Sequence, residues 1–128
     1  MLPTRPALLI ALALPAAVVA EPLPLAHGDY VMRATPCADA PFAAMRSYDG
    51  VGLGDPHSHG CRARVMRRAG NRYVVASSCI GVGVGPGKRT VERLTVVAEG
   101  RSAFAILANG SATRYRLCPA VRNPPPRF

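Results

Sequence analysis

The sequence predicts an all-β fold, a small antiparallel barrel or sandwich of about six or seven short strands that disulfides stabilise. After residue 20, short segments rich in Val, Tyr, Thr and Ile are separated by Gly, Pro, Asn and Asp, while helical periodicity is weak. Four cysteines lie in the same part of the chain. The length of 128 residues fits one domain, and the apolar content of 49% is too high for a disordered chain.

The N-terminus predicts a signal peptide over residues 1–20. Arg5 precedes the apolar run 7–14, and Ala20 is a small residue suited to the position before a cleavage site. An uncleaved anchor is disfavoured, because the run is interrupted by Pro15 and is shorter than the roughly 20 apolar residues that span a bilayer. We therefore expect a periplasmic or secreted protein that is cleaved after Ala20 and has no transmembrane segment in its mature form.

The rest of the chain predicts a single disulfide-stapled β-domain over residues 21–122 and a Pro-rich flexible tail over 123–128. Turns are predicted at 69–71, at 99–101 and at Asn109-Gly110, which is typical of a type I′ hairpin. In the last strand, alternation places Tyr115 on the core face and Arg114 on the outer face. A short helical turn is possible only within 38–47. The predicted strands cover residues 29–35, 43–48, 61–68, 72–79, 90–98, 102–107 and 112–118.

An even number of cysteines in a small exported domain is typical of a disulfide framework. No two cysteines have the spacing of a zinc half-site. The preferred pairing is Cys37 with Cys61 and Cys79 with Cys118. The alternative pairs Cys61 with Cys79 across one hairpin and leaves Cys37 to pair with Cys118.

The charge balance favours an anionic partner. Lys and Arg number 16 against 7 acidic residues, a net charge of +9. Arg62, Arg64, Arg68 and Arg72 are expected to lie close together on two strands, with Arg67 facing the other way or at the turn. Such a stripe can bind phosphate or carboxylate groups bidentately. The predicted partner is an anionic cell-envelope polymer or an envelope protein, and nucleic acid is not expected outside the cytoplasm. A solvated surface without a ligand is the alternative.

A second candidate site is the segment Asp55-Pro56-His57-Ser58-His59. Two imidazoles beside a carboxylate could hold a divalent transition metal, with a further ligand such as His27 supplied from elsewhere. The alternative function is therefore a metal-dependent hydrolase or a metal-binding protein that uses Asp55, His57 and His59. A solvated loop explains the same residues. No catalytic residue and no cofactor is predicted, and the leading prediction is a non-enzymatic binding domain.

Several short motifs resemble those of a group of small secreted proteobacterial proteins that have four spaced cysteines and no established activity. The matching positions are Gly28-Asp29-Tyr30, Thr35-Pro36-Cys37, Tyr48-Asp49-Gly50, Gly52, Cys61, Arg72-Tyr73, Val75, Cys79 and Tyr115-Arg116-Leu117-Cys118. The resemblance implies an exported domain with a structural or binding role.

Overall fold

In a computed structural model that describes residues 1–4, 6–15, 20–82 and 85–119, the chain is an antiparallel β protein. The described part contains eight strands and one short 3-10 helix, Phe42–Ala44. The strands are β1 (Gly28–Met32), β2 (Met45–Tyr48), β3 (Leu53–Gly54), β4 (Ser58–Ala69), β5 (Arg72–Gly81), β6 (Arg89–Ala98), β7 (Ala103–Ala108) and β8 (Ser111–Leu117).

The strands form one sheet that curls into a nearly closed barrel. Their order is β3-β2-β1-β8-β7-β6-β5-β4, so the first strand pairs with the last and only β3 and β4 meet at a seam. At this seam the Ala63 amide donates a hydrogen bond of 2.9 Å to the Val51 carbonyl. Gly52 makes the approach possible, because a Cβ atom there would lie 2.1 Å from the carbonyl oxygen of Cys61.

The prediction of an all-β fold is confirmed, with eight strands instead of six or seven. The three predicted turns join β4 to β5, β6 to β7 and β7 to β8. Asn109 and Gly110 have φ angles of 49° and 77°, as a type I′ turn requires. Segment 43–48 begins with the 3-10 helix and not as a strand. The two-residue strand β3 was not predicted.

Large side chains fill the barrel interior. Tyr30, Tyr48 and Phe104 are at most 1% exposed, and the ring of Tyr115 stacks on that of Phe104 with centroids 5.0 Å apart. An eight-stranded barrel is just wide enough for side chains to fill its interior. The predicted alternation in β8 is confirmed, because Tyr115 is buried and Arg114 is exposed.

The segment before β1 closes one end of the barrel. Leu23 and Leu25 are each 1% exposed. The Tyr48 hydroxyl accepts a hydrogen bond from the Leu23 amide (3.1 Å) and donates one to the Leu23 carbonyl (3.0 Å). The Ala26 amide donates to the Arg101 carbonyl, 2.7 Å away in the turn between β6 and β7. We call residues 21–27 the plug.

The preferred disulfide pairing is wrong, and the alternative is present: Cys37 is bonded to Cys118, and Cys61 to Cys79. Cys61 and Cys79 lie on the adjacent strands β4 and β5, with Cα atoms 4.1 Å apart. Cys37 lies on the loop after β1, which folds back beside the end of β8. Arg116 holds this loop, donating hydrogen bonds of 2.7 Å to the Cys37 sulfur and the Thr35 carbonyl.

Parts of the predicted leader and tail lie outside the described residues, namely 16–19, next to the predicted cleavage site, and the tail 123–128. Residues 1–4 and 6–15 contain no helix or strand and are exposed. Among the residues that the structure describes, no helix is both long and apolar enough to cross a membrane.

The two disulfides should contribute unequally to stability. Replacing Cys37 and Cys118 with Ser is expected to lower the free energy of unfolding by about 4–5 kcal/mol, because the bond joins residues 81 apart. Replacing Cys61 and Cys79, 18 residues apart, should cost about 3 kcal/mol, because a shorter loop loses less entropy when it is closed. Urea unfolding of the two variants measures the difference, and a larger loss in the second variant would contradict this account.

Replacing Tyr48 with Phe should release the plug at a cost of about 2 kcal/mol, because the buried amide and carbonyl of Leu23 lose their partner. Urea unfolding at neutral pH checks this loss. Tyr115→Phe removes a hydroxyl for which the described residues offer no hydrogen-bond partner, so this control should keep its stability.

Stability should also fall as the pH rises above about 10. Burial raises the pKa values of Tyr30 and Tyr48 above the usual 10.0. The unfolded chain then loses these protons at lower pH than the folded chain does, so alkali favours unfolding. Tyr48→Phe should make the alkaline loss shallower in the same urea experiment at rising pH, and an unchanged slope would argue against this origin.

Candidate anion-binding face

Besides Arg89, whose guanidinium bonds to backbone carbonyls, five exposed arginines share the outer surface of β4, β5 and β6. In the strand register Arg64 lies opposite Ala76, and Ala76 lies opposite Arg93. Residues directly opposite each other in neighbouring strands project from the same side of a sheet. Because Val75 and Ser77 are buried inside the barrel, the row that contains Ala76 faces solvent. We call this surface the outer arginine face; it consists of Arg62, Arg64, Arg67, Arg72 and Arg93.

A β-bulge determines which arginines of β4 belong to this face. The register shifts between Val65 and Arg67, so that Arg67 lies opposite Val74 and Arg68 lies opposite the buried Tyr73. The extra residue reverses the simple alternation along the strand. The prediction for this pair was therefore wrong: Arg67 joins Arg62, Arg64 and Arg72 on the outer surface, and Arg68 does not.

Arg68 has a structural contact instead. Its guanidinium carbon lies 5.1 Å from the centroid of the Tyr73 ring. Its Nε donates a hydrogen bond of 3.1 Å to the Gly70 carbonyl. Arg68 therefore covers the end of the barrel beside the plug.

The outer arginine face contains no acidic residue. All 7 acidic residues of the chain lie in the described part, and none occupies an outward position on β4, β5 or β6. The one acid on these strands, Glu92, lies opposite the buried Ser77 and so belongs to the interior row. The ion pairs of the described residues join Glu21 to His27, and Glu99 to Arg33 and Arg114. The five guanidinium groups thus repel one another without an internal counter-charge.

Arg89 lies beside Arg62 at one end of the face and connects β6 to the two neighbouring strands. From β6 its Nη1 donates hydrogen bonds to the Gly60 carbonyl on β4 (3.1 Å) and to the Ser78 carbonyl and hydroxyl on β5 (3.1 and 3.0 Å). These bonds tie the three strands together beside Arg62. The surface that presents the arginines is therefore fixed in its strand spacing.

Sequence reasoning missed Arg93. The signal was present, because Leu94 and Val96 alternate with polar neighbours along β6 in the way that predicts an outward Arg93. What the alternation could not provide was the pairing of β6 with β5, which brings Arg93 level with Arg64.

The two histidines of the predicted metal site point to different places. His57 lies in the turn before β4, where its amide donates a hydrogen bond of 2.8 Å to Asp55 Oδ1. His59 lies opposite Ile80, on the outer surface. His27 precedes β1, where its Nε2 lies 2.6 Å from Glu21 Oε1. Within the described ranges, no group of three or more His, Cys, Asp or Glu side chains could hold a metal ion.

The fold and this surface define the chain as a disulfide-bonded, up-and-down β barrel with a basic face. Comparison with known proteins gives no match to a family model, a curated protein or a solved structure.

The bulge places Arg67 on the outer surface and Arg68 against Tyr73. Replacing these two arginines should therefore change the free energy of unfolding by different amounts. Arg68→Gln should lower the free energy of unfolding by about 0.5–1 kcal/mol, because the contact with Tyr73 is lost. Arg67→Gln should leave stability within about 0.5 kcal/mol, since an exposed surface residue is replaced. Urea unfolding of both variants measures this, and a greater loss for Arg67→Gln would contradict the assignment.

Proposed function

We propose that this chain is an exported, non-enzymatic binding protein that holds an anionic component of the cell envelope on its outer arginine face. The observation that carries the proposal is the register of β4, β5 and β6, which gathers five exposed arginines on a surface without a carboxylate. A bound anion would supply the counter-charge that the chain itself does not.

The spacing of the arginines suits a ligand with several anionic groups. Neighbouring strands are about 4.8 Å apart, so the Cα atoms of Arg64 and Arg93 are separated by about 10 Å across β5. Arg62 and Arg64 follow each other at about 7 Å along β4. Each guanidinium can bind a phosphate or a carboxylate through two parallel hydrogen bonds. A glycan or glycolipid with repeated anionic groups engages several arginines at once, whereas a single small anion engages one or two.

Two observations support export of the chain. Both disulfides are typical of an oxidising compartment. The apolar side chains Leu8, Leu9 and Leu12 are more than 80% exposed and contribute nothing to the barrel core. A segment of this kind is consistent with a leader that is removed after Ala20, and the plug begins at the next residue, Glu21.

An acidic protein is the other possible partner. The face favours an envelope polymer, because its cations form a band across three strands and are not gathered around a pocket or a large apolar patch. The exposed apolar side chains on or beside it are few, among them Met66 and Val91. Protein interfaces bury an apolar centre within a polar rim. The outward side chains of β5 between the arginines, Val74, Ala76 and Ile80, are half-buried and offer only a small apolar area.

The proposal predicts that the purified, oxidised protein is retained on immobilised lipopolysaccharide or on peptidoglycan. Replacing Arg62 and Arg64 together with Gln should weaken binding about 30-fold, since each basic residue near an anionic surface contributes about 1 kcal/mol. Salt should weaken binding by the wild-type chain more than binding by the variant, because screening acts on the charges that the variant has lost. Stronger retention on lipopolysaccharide would indicate that the face binds phosphate, and stronger retention on peptidoglycan that it binds carboxylate.

The matched control replaces Arg33 and Arg114 with Gln. This variant loses the same two charges, but from side chains that lie on the other side of the barrel next to Glu99. It should bind within about threefold of the wild-type protein. Absent binding, binding that salt does not weaken, or equal losses in both variants would refute the proposal.

A further inference from the structure

The end of the barrel opposite the plug contains a small polar cavity. Its volume is about 210 Å³, and Arg46, Asp55, His57, Ser77 and Glu92 are among the residues that line it. The outward arginines take no part in it. We call this cavity the barrel mouth.

Three strands change from apolar to polar inward residues at the barrel mouth. On β2, Arg46 lies two positions before the buried Tyr48 and opposite the buried Tyr30, so it points inward. On β5, Val75 gives way to Ser77. On β6, Leu94 gives way to Glu92, which lies opposite Ser77.

The polar residues of the barrel mouth do not belong to the apolar core: Arg46 is half-buried and Glu92 is exposed, so a ligand can reach both side chains. Ser77, at 4% exposure, has its hydroxyl directed at the Leu53 carbonyl, 3.4 Å away. The side chains of Arg46 and Glu92 have no such partner among the described residues.

The charged groups of the barrel mouth do not neutralise one another. Within the described part of the chain, neither Arg46 nor Glu92 forms an ion pair, whereas Arg33 and Glu99 lie 4.0 Å apart. Asp55 uses Oδ1 to accept the His57 amide. One guanidinium and two carboxylates thus line the cavity, and Arg46 forms an ion pair with neither of them.

We propose that the barrel mouth binds a small zwitterion whose carboxylate lies on Arg46 and whose ammonium lies on Glu92. A free amino acid carries both charges on one carbon atom, and a short peptide carries them on its two termini. A ligand with only one charge would leave the other protein charge partly desolvated and without a partner, and this selects against it. The cavity is smaller than the 300 Å³ or more typical of sites for drug-sized ligands, so the ligand is about the size of an amino acid or a dipeptide.

The test is an NMR titration of the ¹⁵N-labelled protein, with both disulfides formed, using glycine and glycylglycine. Acetate and ethylamine each present one of the two charges. Glycine or glycylglycine should shift the amide signals of Arg46, Ser77 and Glu92. Acetate and ethylamine should bind at least roughly tenfold more weakly than the zwitterions, because each lacks one charge-assisted contact.

Arg46→Gln and Glu92→Gln should each weaken zwitterion binding roughly tenfold or more. Glu92 is exposed and has no ion pair in the described structure, so its replacement keeps the test valid if Arg46→Gln does not fold. The matched control is Arg93→Gln, which removes an arginine on the outer side of the same strand. It should leave zwitterion binding unchanged while weakening retention on the anionic supports.

Three results would overturn the barrel-mouth proposal: no shifts with either zwitterion at about 50 mM, equal binding of acetate or ethylamine, or an equal effect of Arg93→Gln. None of these results bears on the outer arginine face. The two sites can therefore fail separately.

Discussion

Closure of an eight-stranded sheet around an interior that side chains fill is the constraint on which both surfaces depend. Because the sheet returns on itself, every strand residue lies on either the packed side or the solvent side. Closure also gives β3, which is only two residues long, a second neighbour besides β2. The glycine at position 52 and the hydrogen bond between Ala63 and Val51 make the seam close enough for this. On β5 and β6, the outward arginines and the inward polar residues of the mouth belong to opposite faces of the same strands.

The strand class, the three tight turns and the burial of Tyr115 could be predicted, because each depends on residues that are neighbours in sequence. Alternation needs only a few consecutive residues, and Asn109-Gly110 encodes its own turn. The same local information indicated that Arg62, Arg64 and Arg72 share a surface. The β3 strand could not be found, since two residues show no alternation.

The rest depended on pairing between distant segments. The bulge after Val65 is a property of the match between β4 and β5, so the exchange of Arg67 and Arg68 could not be inferred from β4 alone. Cys37 reaches Cys118 because β1 pairs with β8, a contact between the first and last strands that no local pattern encodes. The plug contains two alternating leucines, Leu23 and Leu25, but each follows a proline, which cannot donate to a strand ladder. Its leucines are recognisable as core only once the open end of the barrel that they cover is known.

The pairing of the first strand with the last makes the barrel intolerant of incomplete synthesis. A chain that stops before β8 leaves β1 with one exposed edge and leaves Cys37 as a free thiol, since its partner is residue 118. Unpaired strand edges template association with other chains, and free thiols form mixed disulfides. A truncated copy therefore has an unpaired strand edge and a free thiol that the full-length chain lacks. Completion of β8 pairs the edge of β1 and allows the Cys37 disulfide to form, which removes both routes to aggregation.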